Sequence, residues 1–163
     1  MRLFFIALVI IINSNVVLTQ SINVTVNNLE TSAADFSYLV GEKTFHLDSV
    51  KFDYNGEFII EANGYKLHAG FYRLGFNKIK WLDFIYDGNG VDLKTDYNNI
   101  FDSLKVIRSR SNKLYYEFLK LNKSYKSKTE LLQLILARYP KDDDYYLTTQ
   151  KKLIELQEEY LEF

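Results

Sequence analysis

Ser49-Val50-Lys51-Phe52-Asp53-Tyr54-Asn55-Gly56-Glu57-Phe58-Ile59-Ile60-Glu61-Ala62-Asn63-Gly64-Tyr65-Lys66-Leu67 decides the fold class of this chain. Val50, Phe52 and Tyr54 alternate with polar residues, which is the period of a half-buried strand. Tyr65, Leu67 and Ala69 alternate again beyond the second Asn-Gly pair. A type I′ turn needs positive φ at both central positions, and Asn-Gly supplies it at little steric cost. The two pairs, Asn55-Gly56 and Asn63-Gly64, therefore predict a three-stranded antiparallel meander over residues 49–73.

The same grammar extends on both sides. Ile22, Val24 and Val26 alternate with Asn23, Thr25 and Asn27, and Thr44–Leu47 is a short candidate strand. Ile79–Tyr86 is another, closed by Asp87-Gly88-Asn89-Gly90, and Val91–Thr95 is a further one. Beyond residue 97 the period changes and glycine disappears. Ile100, Leu104, Ile107, Ser111, Leu114, Phe118 and Leu121 recur at steps of four and three, an apolar helix stripe interrupted once by serine. Asn98 or Asn99 is placed to cap it. Ser127-Lys128-Thr129-Glu130 fits a capping box for a second helix carrying Leu131, Leu134 and Ile135. Pro140 ends that helix, and Asp142-Asp143-Asp144 suits the start of a third with Leu147, Leu153, Ile154, Leu156, Tyr160 and Leu161. Strands followed by helices indicate an α+β fold. The expected organisation is an N-terminal antiparallel β-meander over 21–97 and about three helices over 98–163, joined in one compact domain.

Residues 1–20 read as a signal peptide. Met1-Arg2 is a short positive start, Leu3–Ile12 is unbroken and apolar, and Asn13, Ser14 and Asn15 end it. A helix of that apolar length reaches about 15 Å, half of a bilayer core, so a cleaved leader is expected rather than an anchor. The expected location is outside the producing cell, at a cell surface or in a host cell. No cysteine is present, which excludes disulfide scaffolds and thiol enzymes.

The residues that could carry chemistry are sparse. His46 and His68 are the two histidines, too few for a zinc site without cysteine. No Gly-x-Ser-x-Gly elbow occurs, and Gly88-Asn89-Gly90 lacks the third glycine of a dinucleotide cradle. The Asp142–Asp144 run lacks the alternating acids and distant glutamate of a calcium loop. Glu57, Glu61 and Asp83 are carboxylates of the β half whose spacing leaves a glycoside-hydrolysing pair open, yet nothing marks any of them as buried. No catalytic residue, metal or cofactor is assigned, and the chain is read as non-enzymatic.

Charge is more informative. Residues 20–97 hold seven basic and eleven acidic residues, and residues 98–163 hold twelve and ten. Between 105 and 128, eight lysines and arginines face Glu117 alone. Lys105, Arg108, Arg110 and Lys113 are the expected partner-binding basic face. An acidic protein or an anionic membrane surface would suit it, and nucleic acid is disfavoured by the slightly acidic whole. The bland reading of those cations is a solvated outer face. Asn23-Val24-Thr25 and Asn122-Lys123-Ser124 are glycosylation sequons, giving Asn23 and Asn122 as candidate acceptors. Tyr65, Phe71, Tyr72, Trp81, Phe84 and Tyr86 offer a second reading, a small extracellular module holding an apolar ligand on its sheet, with core packing as their bland role.

Leu47-Asp48, Phe52-Asp53-Tyr54, Gly64-Tyr65-Lys66-Leu67 and Ile79-Lys80-Trp81 together make residues 45–106 resemble the FAINT domain of secreted proteins from Theileria-type parasites. The resemblance implies a β-rich domain delivered onto or into a host cell, meeting an unidentified host protein. It carries no catalytic residue, and the helical tail lies outside it.

Overall fold

The computed structural model describes residues 20–162. The expected signal peptide lies outside the described residues up to position 19. The α+β class holds: eight strands come first and two long helices close the chain. The strands are β1 (Ser21–Asn27), β2 (Ala33–Val40), β3 (Lys43–Lys51), β4 (Glu57–Glu61), β5 (Gly70–Gly75), β6 (Trp81–Tyr86), β7 (Val91–Asp96) and β8 (Lys105–Arg108). The helices are α1 (Ala62–Tyr65), α2 (Arg110–Leu136) and α3 (Asp144–Leu161).

The strands form two four-stranded sheets, ordered β4-β1-β7-β8 and β3-β2-β5-β6. Their inward side chains make one core. Ile22, Val24, Phe58, Ile60, Val91 and Leu93 come from the first sheet, and Phe36, Tyr72, Leu74, Leu82 and Phe84 from the second. Alternation is what permits this, because every second residue of each strand points to the same layer. Phe36 stacks on Tyr72 at 5.5 Å between centroids and on Phe84 at 6.4 Å.

The meander expected over 49–73 does not form. Asn55-Gly56 does turn the chain, with the Asp53 carboxylate accepting from the Asn55 and Glu57 amides at 2.9 and 2.7 Å. However, the strands on either side belong to different sheets, and β4 pairs antiparallel with β1. Gly56 explains the crossing. It has φ +72°, and a Cβ there would stand 2.2 Å from the Val26 carbonyl oxygen. The turn thus packs its backbone onto β1, and the Val26 amide donates to the Gly56 carbonyl at 2.9 Å. Asn63-Gly64 lies within α1, where the chain leaves β4, so Tyr65, Leu67 and His68 are not in a strand. Long-range pairing overrides local turn preference here. One pair, β1 with β7, is parallel.

Two strands were not expected. Ala33–Val40 is an inner strand of the second sheet, and β8 carries strand structure past residue 97 to Arg108. The helix expected from Ile100 therefore starts at Arg110, with Ser109 as its cap accepting from the Asn112 amide at 3.2 Å. Asn98 and Asn99 sit in a turn instead. The capping box at Ser127–Glu130 marks no boundary, since α2 runs through it to Leu136. Nothing there breaks the helix: no Gly or Pro interrupts Leu121–Leu136, and the flanking residues are good helix formers. The third expected helix begins as read, with Asp143 as N-cap of α3, accepting from the Tyr145 amide at 2.7 Å.

α2 is about 40 Å long at the usual rise per residue, and only its first half touches the sandwich. Asn112 and Tyr116 are buried there, with Tyr115 and Leu119 packed beside them. Its second half pairs with α3 as a helical hairpin. Tyr125 and Tyr160 stack at 4.3 Å, and Leu156 and Thr149 are the buried residues of α3.

Candidate aromatic interaction face on the second sheet

The edge strand β6 sets the geometry. Its outer side would expose unpaired amides and carbonyls, a template for unwanted strand addition. α2 closes it with side chains. The Ile85 amide donates to Asn112 Oδ1 at 2.8 Å, and Asn112 Nδ2 donates to the Ile85 carbonyl at 2.7 Å. The Tyr116 hydroxyl donates to the Asp83 carbonyl. Burial pushes the Tyr116 phenol far above its usual range, so it stays a donor. Ser109 fixes the amide of Asn112, accepting from Nδ2 at 2.8 Å.

This clamp leaves the outer face of the second sheet open. Phe71, Arg73 and Gly75 of β5 stand opposite Ile85, Asp83 and Trp81 of β6. Arg73 holds Asp83 with two bonds, Nε to Oδ1 at 2.5 Å and a terminal nitrogen to Oδ2 at 2.7 Å. The Asp83 bond raises the guanidinium pKa further, so it is charged at any working pH. The same guanidinium lies 4.7 Å from the centre of the Trp81 ring. Phe71 meets Tyr115 of α2 edge to face at 5.4 Å. Trp81 is 44% exposed and Phe71 41%. An aromatic and arginine cluster is thus pre-formed and half in solvent.

Trp81 also borders a cleft of about 420 Å³ beneath the β6 edge. Ile79, Tyr97, Ile100, Phe101 and Leu119 line it. Lys80 also lines it, with Nζ 3.8 Å from the Tyr97 ring centre, and Lys123 Nζ lies 5.1 Å from the ring centre of Phe101. Lys123 is also paired with Asp102 at 2.9 Å.

The six aromatics read from the sequence are split by strand parity. Tyr72, Phe84 and Tyr86 are buried between the sheets, Phe71 and Trp81 face outward, and Tyr65 lies half exposed on α1. They do not line one ligand site, because neighbours along a strand point to opposite layers. The Tyr65 hydroxyl donates to Asp48 at 2.5 Å, and that bond holds the Asp48 carboxyl below the usual range.

The basic residues occupy two elements. Lys105 and Arg108 lie on β8, Arg110 and Lys113 at the start of α2, and all four are exposed. Arg108 lies across Gly90, where a Cβ would stand 2.6 Å from its Cζ. Arg110 and Lys113 oppose the helix dipole, and no acid occupies the first turn of α2. Asp87 from the β6–β7 turn supplies the negative charge instead. It accepts from Ser111 Oγ at 2.5 Å, and chiefly for that reason its carboxyl sits below the ordinary range.

Glu57 and Glu61 are exposed on β4 of the first sheet, and Asp83 is on the second, so the three carboxylates are not brought together. His46 is exposed on β3, and His68 lies in the segment before β5. Asn23 is in the inner strand β1, half-buried, with its Oδ1 buried and unpartnered in the described residues. Asn122 is exposed on α2 and accepts weakly from Tyr160 at 3.4 Å.

Sequence reasoning missed Arg73, Asn112 and Tyr116. For Arg73 the signal was parity, since Phe71-x-Arg73 and Trp81-x-Asp83 interleave with the buried Tyr72, Leu74, Leu82 and Phe84. Asn112 and Tyr116 carry no sequence signal beyond a polar residue in a helix. No family model, curated protein or solved structure matches this chain.

Proposed function

We propose that this is a secreted, non-enzymatic protein-interaction module whose binding face is the outer surface of β5 and β6. The observation that carries the reading is the half-exposed Trp81–Arg73–Phe71–Tyr115 cluster. Trp, Tyr and Arg are the residues that dominate binding energy at protein interfaces, because they supply large rigid contact area with a polar handle. The cluster is held before any partner arrives, by the Arg73–Asp83 fork and by the Asn112 clamp, so little side-chain entropy remains to be lost on binding. Asp83 is occupied by Arg73 through both oxygens, which suits positioning rather than acid–base work. The resemblance of residues 45–106 to the FAINT domain ties this reading to parasite proteins acting on a host cell. The exposed Lys105, Arg108, Arg110 and Lys113 suit long-range steering toward an acidic partner.

Comparative cross-linking on intact host cells tests it. Wild-type protein, Trp81→Ala/Phe71→Ala and Arg108→Glu/Arg110→Glu/Lys113→Glu are applied in parallel. A partner captured by wild type, lost with the aromatic variant and captured more slowly with the basic one is expected. A partner captured equally by the aromatic variant contradicts the face.

The cleft favours a second reading, an apolar ligand beside Trp81, because its volume falls in the range of small-molecule sites. Titration of Trp81 fluorescence with fatty acids would shift the emission if the cleft fills. An unchanged spectrum at saturating ligand rejects it.

A further inference from the structure

α3 carries more apolar surface than α2 covers. Tyr146, Thr149, Leu153, Leu156 and Tyr160 share one face of α3 and are buried or half-buried, and Tyr160 stacks on Tyr125 of α2. Leu147, Ile154 and Leu161 form a second stripe at i, i+7 and i+14 and are 51, 49 and 83% exposed. Such a spacing puts all three on one line along the helix, away from the α2 seam. A stripe of this kind beside a folded core marks a surface for another helix.

The flanks of the stripe say which helix fits. On one side stand Lys151 and Glu158, on the other Gln150 and Gln157. Leu147 and Leu161 are seven residues to either side of Ile154. A two-fold axis at Ile154 relates two antiparallel copies so that each flank meets the same flank of its mate. Leu147 then meets Leu161, Ile154 meets Ile154, Lys151 meets Glu158 twice, and Gln150 meets Gln157 twice. A parallel pairing has no such match, since each flank would meet the opposite flank at the same level. Glu155, the nearest other acid, is already paired with Lys152 at 2.9 Å. From this register we infer that α3 pairs antiparallel with α3 of a second copy of the chain, through Leu147, Ile154 and Leu161, with Lys151 and Glu158 as the cross-pairs.

The interface is short, about 27 Å of helix, and belongs with the small, reversible contacts. Sedimentation equilibrium of the purified protein, up to several hundred micromolar in low salt, reads it. Wild type is expected to pass from monomer to dimer. Lys151→Glu and Glu158→Lys each place like charges in both cross-pairs and should weaken the dimer about tenfold. The mixture of the two variants has opposite charges in both cross-pairs and should dimerise at least as well as wild type. Lys151→Glu/Glu158→Lys in one chain should restore self-association. Ile154→Asp should leave a monomer with unchanged far-ultraviolet circular dichroism. A wild-type monomer at every concentration overturns the inference. So does a dimer indifferent to either charge change, or a mixture no tighter than its components.

Discussion

The two sheets and the helical hairpin use their apolar residues differently. In the sandwich, inward residues are nearly all hidden: Ile22, Phe36, Leu74, Phe84 and Leu93 have no exposed surface. In α3 only Thr149 and Leu156 are buried, while Leu147, Ile154 and Leu161 stay in solvent. A sheet of alternating residues has one inner face, and a second sheet can fill it completely. An amphipathic helix packed on a single neighbour covers only part of its apolar arc. The sandwich is therefore expected to be the stable unit, and the hairpin the adaptable one. Apolar exposure on the hairpin, and aromatic exposure on the outer face of β5 and β6, are the two places where the fold leaves surface for others.

The sharpest way to break that comparison is to remove core from each region. Phe36→Ala should destabilise the protein by about 3–5 kcal/mol, the usual cost of an aromatic cavity. Leu156→Ala should cost about 2 kcal/mol, the low end for a buried leucine, because the hairpin can collapse around the gap. Equal losses in urea unfolding would erase the distinction. Between these lies the joint of the two regions. Asn112→Ala strands both the amide and the carbonyl of Ile85, and is expected to cost about 3 kcal/mol. Tyr116→Phe removes one bond to the Asp83 carbonyl and should cost about 1 kcal/mol.

The smallest effect concerns pH. The Asp87 carboxyl is lowered in the fold, first by the Ser111 hydroxyl, so the folded state binds its proton less readily than the unfolded chain. Its contribution is complete above the ordinary aspartate value of about 3.9 and fades as pH falls through the depressed one. Asp87→Asn should flatten that acid limb of the unfolding midpoint against pH and leave the neutral region little changed in slope. An unaltered acid limb would mean that Asp87 does not anchor the start of α2.

Much of the fold was legible in the sequence, and the misses share a cause. The alternation in β1, β6 and β7 and the helical spacing that follows them carried the class, although the boundary read at residue 97 lies before β8 and the helix starts at Arg110. Ala33–Val40 was missed although Phe36, Tyr38 and Val40 are strand formers in alternation; Ala33, Ala34 and Asp35 have weak strand preference, and their place comes from pairing with β3 and β5. Asn63-Gly64 failed because β4 pairs with β1 in the first sheet while the next strand, β5, joins the second, which no turn signal encodes. The candidate face was half legible. The aromatics stood out by type, but their division between core and surface required parity. The clamp by Asn112 depends on where a helix meets an edge strand more than twenty residues away in sequence.

Hydrogen exchange followed by mass spectrometry, at two protein concentrations, tests the contrast most directly. At the lower concentration, α3 amides should exchange through local opening far faster than those of β1, β2 and β5. At the higher one, α3 protection should rise while the strands stay unchanged. If α3 exchanges as slowly as the inner strands when dilute, the hairpin is part of the stable unit and the account of two unequal regions is wrong.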